Sequence, residues 1–130
     1  MRPEAQAWWE EAASELEGVR DLIATEHYHL AAFFCQQAVE KAFKALWVYR
    51  KKQMPAKTHD LTELAKGLGA PERFGRALKE LNPLFATTRY PDAANGVPAR
   101  MFDEEIARAR LRDAEEVMAW CRSELGLAQN

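Results

Sequence analysis

The chain has 130 residues, 48% of them hydrophobic and 29% charged, with only six Gly and six Pro; this is enough for one domain over 1–130 with a proper core, and it excludes a disordered chain. A formal net charge of −2 provides no global attraction for nucleic acid. No apolar run approaches the ~20 residues that cross a bilayer, and Met1-Arg2-Pro3-Glu4 is too polar for a signal peptide, so a cytoplasmic protein without a membrane span is expected.

Taken in chain order, the apolar residues repeat at helical spacing and suggest no strand. Trp9, Ala12, Leu16, Val19 and Ile23 alternate by three and four, predicting a first helix from about Glu4 to Thr25. A short connection, Glu26-His27-Tyr28, makes the next helix its antiparallel neighbour. That second helix runs from about Tyr28 to Lys52 and stops before Pro55. Phe34, Cys35, Ala38, Ala42, Ala45 and Leu46 lie on one arc of it, so neighbouring backbones can approach closely. Gln36, Glu40 and Lys44 follow one another at i, i+4 spacing, with Gln37 and Lys41 beside them. Leu30, Phe33, Trp47 and Val48 also fall on this polar side. In so short a chain, a helix apolar nearly all round predicts a second copy of the chain against that side.

Asp60 and Glu63 have capping-box spacing at the start of a short third helix, whose apolar edge is Leu61, Leu64 and Leu68 and whose end is marked by Gly67 and Gly69. Pro71 suits the first turn of a fourth helix carrying Phe74, Leu78, Leu81 and Phe85, which Pro83 should kink or end. Residues 86–102 show no periodicity, and a loop of that length in a compact bundle is usually functional or disordered. A fifth helix from about Asp103 to Leu125 carries Ala107, Leu111, Ala114, Met118 and Cys121 in 4-3 alternation. The expected fold is therefore all-α, an up-and-down antiparallel bundle of four long helices plus one short one.

Charge is unevenly distributed. Residues 4–26 carry seven acids against Arg20 alone, whereas residues 41–57 carry six basic groups and no acid. Arg50, Lys51 and Lys52 answer the negative end of a helix dipole, but Lys41 and Lys44 lie two turns earlier and need another partner. Cys35 and Cys121 sit on apolar helical faces without Cys-His spacing, so they read as core residues and not as metal ligands. No phosphate loop, nucleophile elbow, zinc helix or Glu-x-x-His di-metal motif is present, and no cofactor or metal is expected.

The string "QQAVEKAFKAL" (Gln36–Leu46), then "THDL" (Thr58–Leu61), then "RYPD" (Arg89–Asp92) resembles the HEPN family of nucleotide-binding helical domains, in this order and over nearly the whole chain. The resemblance implies a helical bundle, a homodimer, and often a separate minimal nucleotidyltransferase as partner. Some HEPN domains are toxin-type ribonucleases of toxin–antitoxin pairs and others are binding modules. The ribonucleases carry Arg, four to six residues, then His in a late helix, where His serves as acid or base and Arg binds the scissile phosphate. This chain has only His27, His29 and His59, and none follows Arg89 or Arg100, so no catalytic residue is assigned.

The expected nucleotide- or RNA-binding set is Arg89, Tyr90, His59, Lys41, Lys44, Gln37 and Glu40. Arg89 offers a fork for phosphate and Tyr90 a ring for stacking a base, against the alternative that Arg89 pairs with an acid while Tyr90 staples the loop. His59 precedes a helix start, where unpaired N–H groups attract anions, or else it serves the backbone there. Three functions remain open: a nucleotide/RNA-binding accessory domain of a nucleotidyltransferase, a toxin-type ribonuclease, and a non-catalytic dimerisation scaffold.

Overall fold

The computed structural model describes residues 1–55 and 57–127. Among these residues there is no strand. Two long antiparallel helices, α1 (Pro3–Ala24) and α2 (Tyr28–Lys51), are followed by α3 (Leu61–Leu68), α4 (Gly75–Leu81), α5 (Leu84–Thr87), α6 (Pro91–Ala94) and the long α7 (Glu104–Glu124). The α1–α2 turn is tight because Glu26 takes a left-handed φ of 62°, letting its N–H donate to Ile23 and the His27 N–H donate to Leu22. This is the paired-bond helix ending in which Gly is the usual residue. Gly69 (φ 63°) and Gly126 (φ 74°) end α3 and α7 in the same way.

Helix α2 is the axis of the molecule. Ala31, Ala32, Cys35, Ala38, Val39, Ala42, Ala45 and Leu46 are fully buried, and their small size lets α1 and α7 pack closely on it. Phe43 and Phe74 complete the centre, each edge-on to Trp120. On the α4–α7 side, Arg76 donates to Asp113 at 2.7 Å and Arg110 to Glu80 at 2.7 Å.

The far side of α2 departs from expectation. Val48 is buried, and Trp47 lies half-buried across α3, with its ring over Gly67 and the Lys51 ammonium 4.5 Å from its centroid. A second subunit is not needed to cover these two residues, because Val48 is already buried within the chain and Trp47 lies against α3. Gly67 does not end α3 but sits inside it, where the absence of a Cβ makes room for Trp47; Gly69 alone is the stop. Leu30 remains 36% exposed and Phe33 is half-buried.

The fourth predicted helix is segmented. Pro71 caps a 3-10 turn, Glu72–Phe74, before α4, and Pro83 separates α4 from α5, since its ring cannot continue the backbone ladder. Nor is 86–102 an irregular loop. Pro91 opens α6, Asn95 closes it in a left-handed conformation (φ 55°), and Pro98 starts a second 3-10 turn, Pro98–Arg100. Short turns of this kind escape a search for periodicity because none contains two full repeats.

Candidate functional site

The site is built on three elements that meet beside the middle of α2. Its floor is the row Gln36, Glu40 and Lys44, which the spacing correctly places on one helical face but which is buried, with exposures of 0%, 3% and 7%. Burial leaves the Glu40 carboxylate in need of partners, and it has several. Oε2 accepts from Lys44 Nζ at 3.0 Å, and Oε1 lies 2.9 Å from His59 Nδ1 and 3.3 Å from Gln37 Nε2. Gln36 donates to the His59 carbonyl at 3.0 Å, while its own Oε1 accepts from Gln37 at 2.8 Å. The row is thus covered by the segment leading into α3 and by Trp8, whose ring centroid lies 5.5 Å from Lys44 Nζ.

This arrangement corrects the role expected of the basic residues. Lys44 is enclosed with Glu40, and Lys41 is paired with Glu15 across the α1–α2 seam. Desolvation pushes the Glu15 carboxyl above its ordinary range, opposed by its contact with Lys41. Both lysines are therefore engaged with carboxylates inside the bundle and do not line an open cleft.

His59 is held from two sides. Its main-chain oxygen is tied to Gln36, and its ring stacks on Phe85 at 3.8 Å and 14°. The side chain nevertheless remains 54% exposed. The α3 start is not an anion site, however. Asp60 Oδ1 accepts from the N–H groups of Thr62 and Glu63, Asn82 Oδ1 accepts from Leu61, and Asn82 Nδ2 donates back to Asp60. The orphan donors of the first turn are consumed by side chains.

Phe85 joins the third element to the second. The Arg89 guanidinium carbon lies 5.2 Å from the Phe33 ring, 5.0 Å from Phe85 and 5.1 Å from Tyr90. Arg89 has no carboxylate partner among the described residues, so the expected alternative of an ion pair is not realised. Tyr90 is 44% exposed and does not staple the segment to the core. The turn bearing them is set by Thr88, which is buried and donates to the Leu84 carbonyl at 2.6 Å.

His59 and Arg89 therefore come together on one ring, Phe85, with Tyr90 beside Arg89 and with Glu40, which Gln37 also reaches, against His59 Nδ1. Sequence reading missed Phe33 and Phe85, which it assigned to a dimer face and a core stripe. The available signal was spacing, because Phe85 and Arg89 are four residues apart and share a face once the chain remains helical past Pro83. Two adjoining grooves of about 320 and 470 Å³ lie between α1 and α7, lined in common by Trp9, Ala13, Glu17 and Arg122; none of the sequence-predicted residues borders them. Among the described residues, no group of three His, Cys, Asp or Glu side chains could hold a metal ion. No described helix is long and apolar enough to cross a membrane.

The bundle belongs to a known class. The HEPN domain model matches residues 5–124, and the chain belongs to the HEPN family. Among solved structures it is similar to TT1696 from Thermus thermophilus, with a TM-score of 0.86 and 29% identity over 95% of this chain and 99% of that one. A second similar structure is ST0689, an archaeal HEPN homologue, with a TM-score of 0.81 and 24% identity over 95% and 99% of the two chains; at that identity the likeness shows the fold alone. No curated protein matches the chain.

Proposed function

We propose that this HEPN domain binds nucleotides or single-stranded RNA at the His59–Phe85–Arg89–Tyr90 surface and acts as the substrate-binding partner of a separate minimal nucleotidyltransferase. The observation that carries the reading is Arg89, an exposed guanidinium resting on three aromatic rings beside a half-exposed His, with no carboxylate partner among the described residues. Such a group has its charge-assisted hydrogen bonds to give to a phosphate, while Tyr90 offers an open ring to a base. Because the protein carries a net charge of −2, affinity is modest and falls steeply with salt. Titration of wild type and Arg89→Ala with ATP and with short RNA at low salt tests the reading. Binding that weakens about tenfold or more in the variant supports it; equal binding, or none in either protein, removes it. Co-purification with the product of an adjacent nucleotidyltransferase reading frame tests the partnership separately.

A toxin-type ribonuclease is the second reading. It is favoured by one arrangement: a His whose Nδ1 meets a buried carboxylate, beside an Arg with no ion-pair partner among the described residues, as a general acid–base pair with a phosphate clamp requires. Metal-free cleavage of RNA by wild type, abolished in His59→Ala, is the expected result for that reading. A dimerisation scaffold would bind neither nucleotide nor RNA.

A further inference from the structure

The surface described above contains one residue that does not reach it. Glu40 is 3% exposed, so it cannot be a principal contact for a ligand, yet it holds His59 Nδ1 at 2.9 Å. Of the two neutral imidazole tautomers, only the Nδ1–H form can donate from that nitrogen to Glu40. We propose that Glu40 is a positioning residue that fixes His59 as the Nδ1–H tautomer, presenting Nε2 as an acceptor for the ribose 2′-hydroxyl of RNA. This rests on the nucleic-acid reading above and names the sugar as what the site distinguishes.

Three observations support it. First, the carboxylate is itself held in place: Lys44 occupies Oε2, Gln37 lies on Oε1, and Gln36 fixes the His59 backbone, so the ring can neither swing nor flip without breaking a buried network. Second, the neighbouring charges are engaged elsewhere: Lys44 answers Glu40, and the Asp60 carboxylate is turned to α3 and Asn82. Arg89, on the same Phe85 ring as His59, adds a positive charge nearby. Third, Nε2 has no protein partner among the described residues, and the side chain is 54% exposed. With Arg89 suited to phosphate and Tyr90 to a base, the group beside them faces the sugar that joins the two. An acceptor there is matched by the 2′-hydroxyl, which DNA lacks.

The experiment compares binding of a short oligouridine, the matching oligodeoxyuridine and the 2′-O-methyl oligouridine to the whole chain at low salt. It also records the imidazole nitrogen chemical shifts of His59 at neutral pH. Wild type should show the Nδ1–H tautomer and prefer RNA over both other oligomers roughly fivefold, the worth of one hydrogen bond. Removing Glu40 alone would strand the buried Lys44 charge, so the variant is Glu40→Leu with Lys44→Met, which replaces the pair by apolar groups of similar size. In it, His59 should revert to the Nε2–H form that a free side chain prefers, and RNA and DNA should bind alike while Arg89-dependent binding persists. A ring protonated on both nitrogens, or an Nε2–H tautomer in wild type, overturns the inference. Equal binding of the three oligomers overturns it too, but leaves nucleic-acid binding intact. If no oligomer binds, both this inference and the functional reading beneath it are overturned.

Discussion

Arg89 and Lys44 show how little residue type says without an environment. Both are cations near the same site, but Lys44 lies beneath Trp8 and is satisfied by Glu40, whereas Arg89 lies on ring faces that leave its donors unspent. Replacing Arg89 should therefore reduce ligand binding with little change in stability, while Lys44→Ala should lower stability by about 3 kcal/mol by orphaning a buried carboxylate, as urea melts of the two variants would read out. The cysteines make a second prediction at this scale. Burial pushes the Cys35 thiol from 9.0 up to about 12, and Cys121 is raised further in the same direction by the same cause. The folded state then holds protons that the unfolded chain releases above pH 9.0, so stability falls as pH rises through that window. Thermal melts should show this decline, and Cys35→Ala should reduce its slope. In the native protein at neutral pH, both thiols should resist aromatic disulfide reagents until the chain is unfolded.

Among the helices, two glycines and one cap separate local propensity from packing. Gly18 lies mid-helix in α1 with open space where a Cβ would be, so Gly18→Ala should stabilise the protein by about 1 kcal/mol through propensity alone. Gly67 also lies within a helix, but a Cβ there meets the Trp47 ring; Gly67→Ala should instead destabilise by about 1–2 kcal/mol. Opposite shifts of Tm in the two variants check the pair. Asp60 caps α3 and receives the Asn82 amide, which links the start of α3, just after His59, to the end of α4. Asp60→Ala should cost about 2 kcal/mol, about 8 °C in Tm. Because it loosens the His59 segment, ligand affinity should fall with it.

At the scale of the whole molecule, the question is what the chain meets in solution. With Trp47 and Val48 covered by α3 and the core, the case for a homodimer rests on Leu30 and Phe33, together with membership of a family in which dimers are common. We expect light scattering at micromolar concentration to return twice the 14.8 kDa chain mass. Leu30→Glu should shift that mass toward one chain, since a charge on an apolar contact is desolvated at a loss. A wild-type mass of 14.8 kDa would refute the dimer and leave Phe33 as simply one wall of the Arg89 cage.

Helix positions and class were legible in the residues because period and punctuation are local. The stripes of α1, α2 and α7, the Asp60 cap, the Gly69 stop and the Pro83 break each depend on neighbours within a few positions. The three family strings likewise lie in order along the chain, which is why the HEPN assignment could be read from the residues alone. Burial was not local. Gln36, Glu40 and Lys44 read as a polar stripe on the side expected to meet a second copy, and only the return of the His59 segment over α2 made them an interior network. The apolar far side of α2 looked like an interface until α3 packed across Trp47. His59 and Arg89 lie far apart in the chain, and no spacing rule relates them. They meet on Phe85 because α5 packs against α2, a result of packing the whole bundle, since desolvation and contact depend on what lies opposite and not on what lies adjacent in sequence.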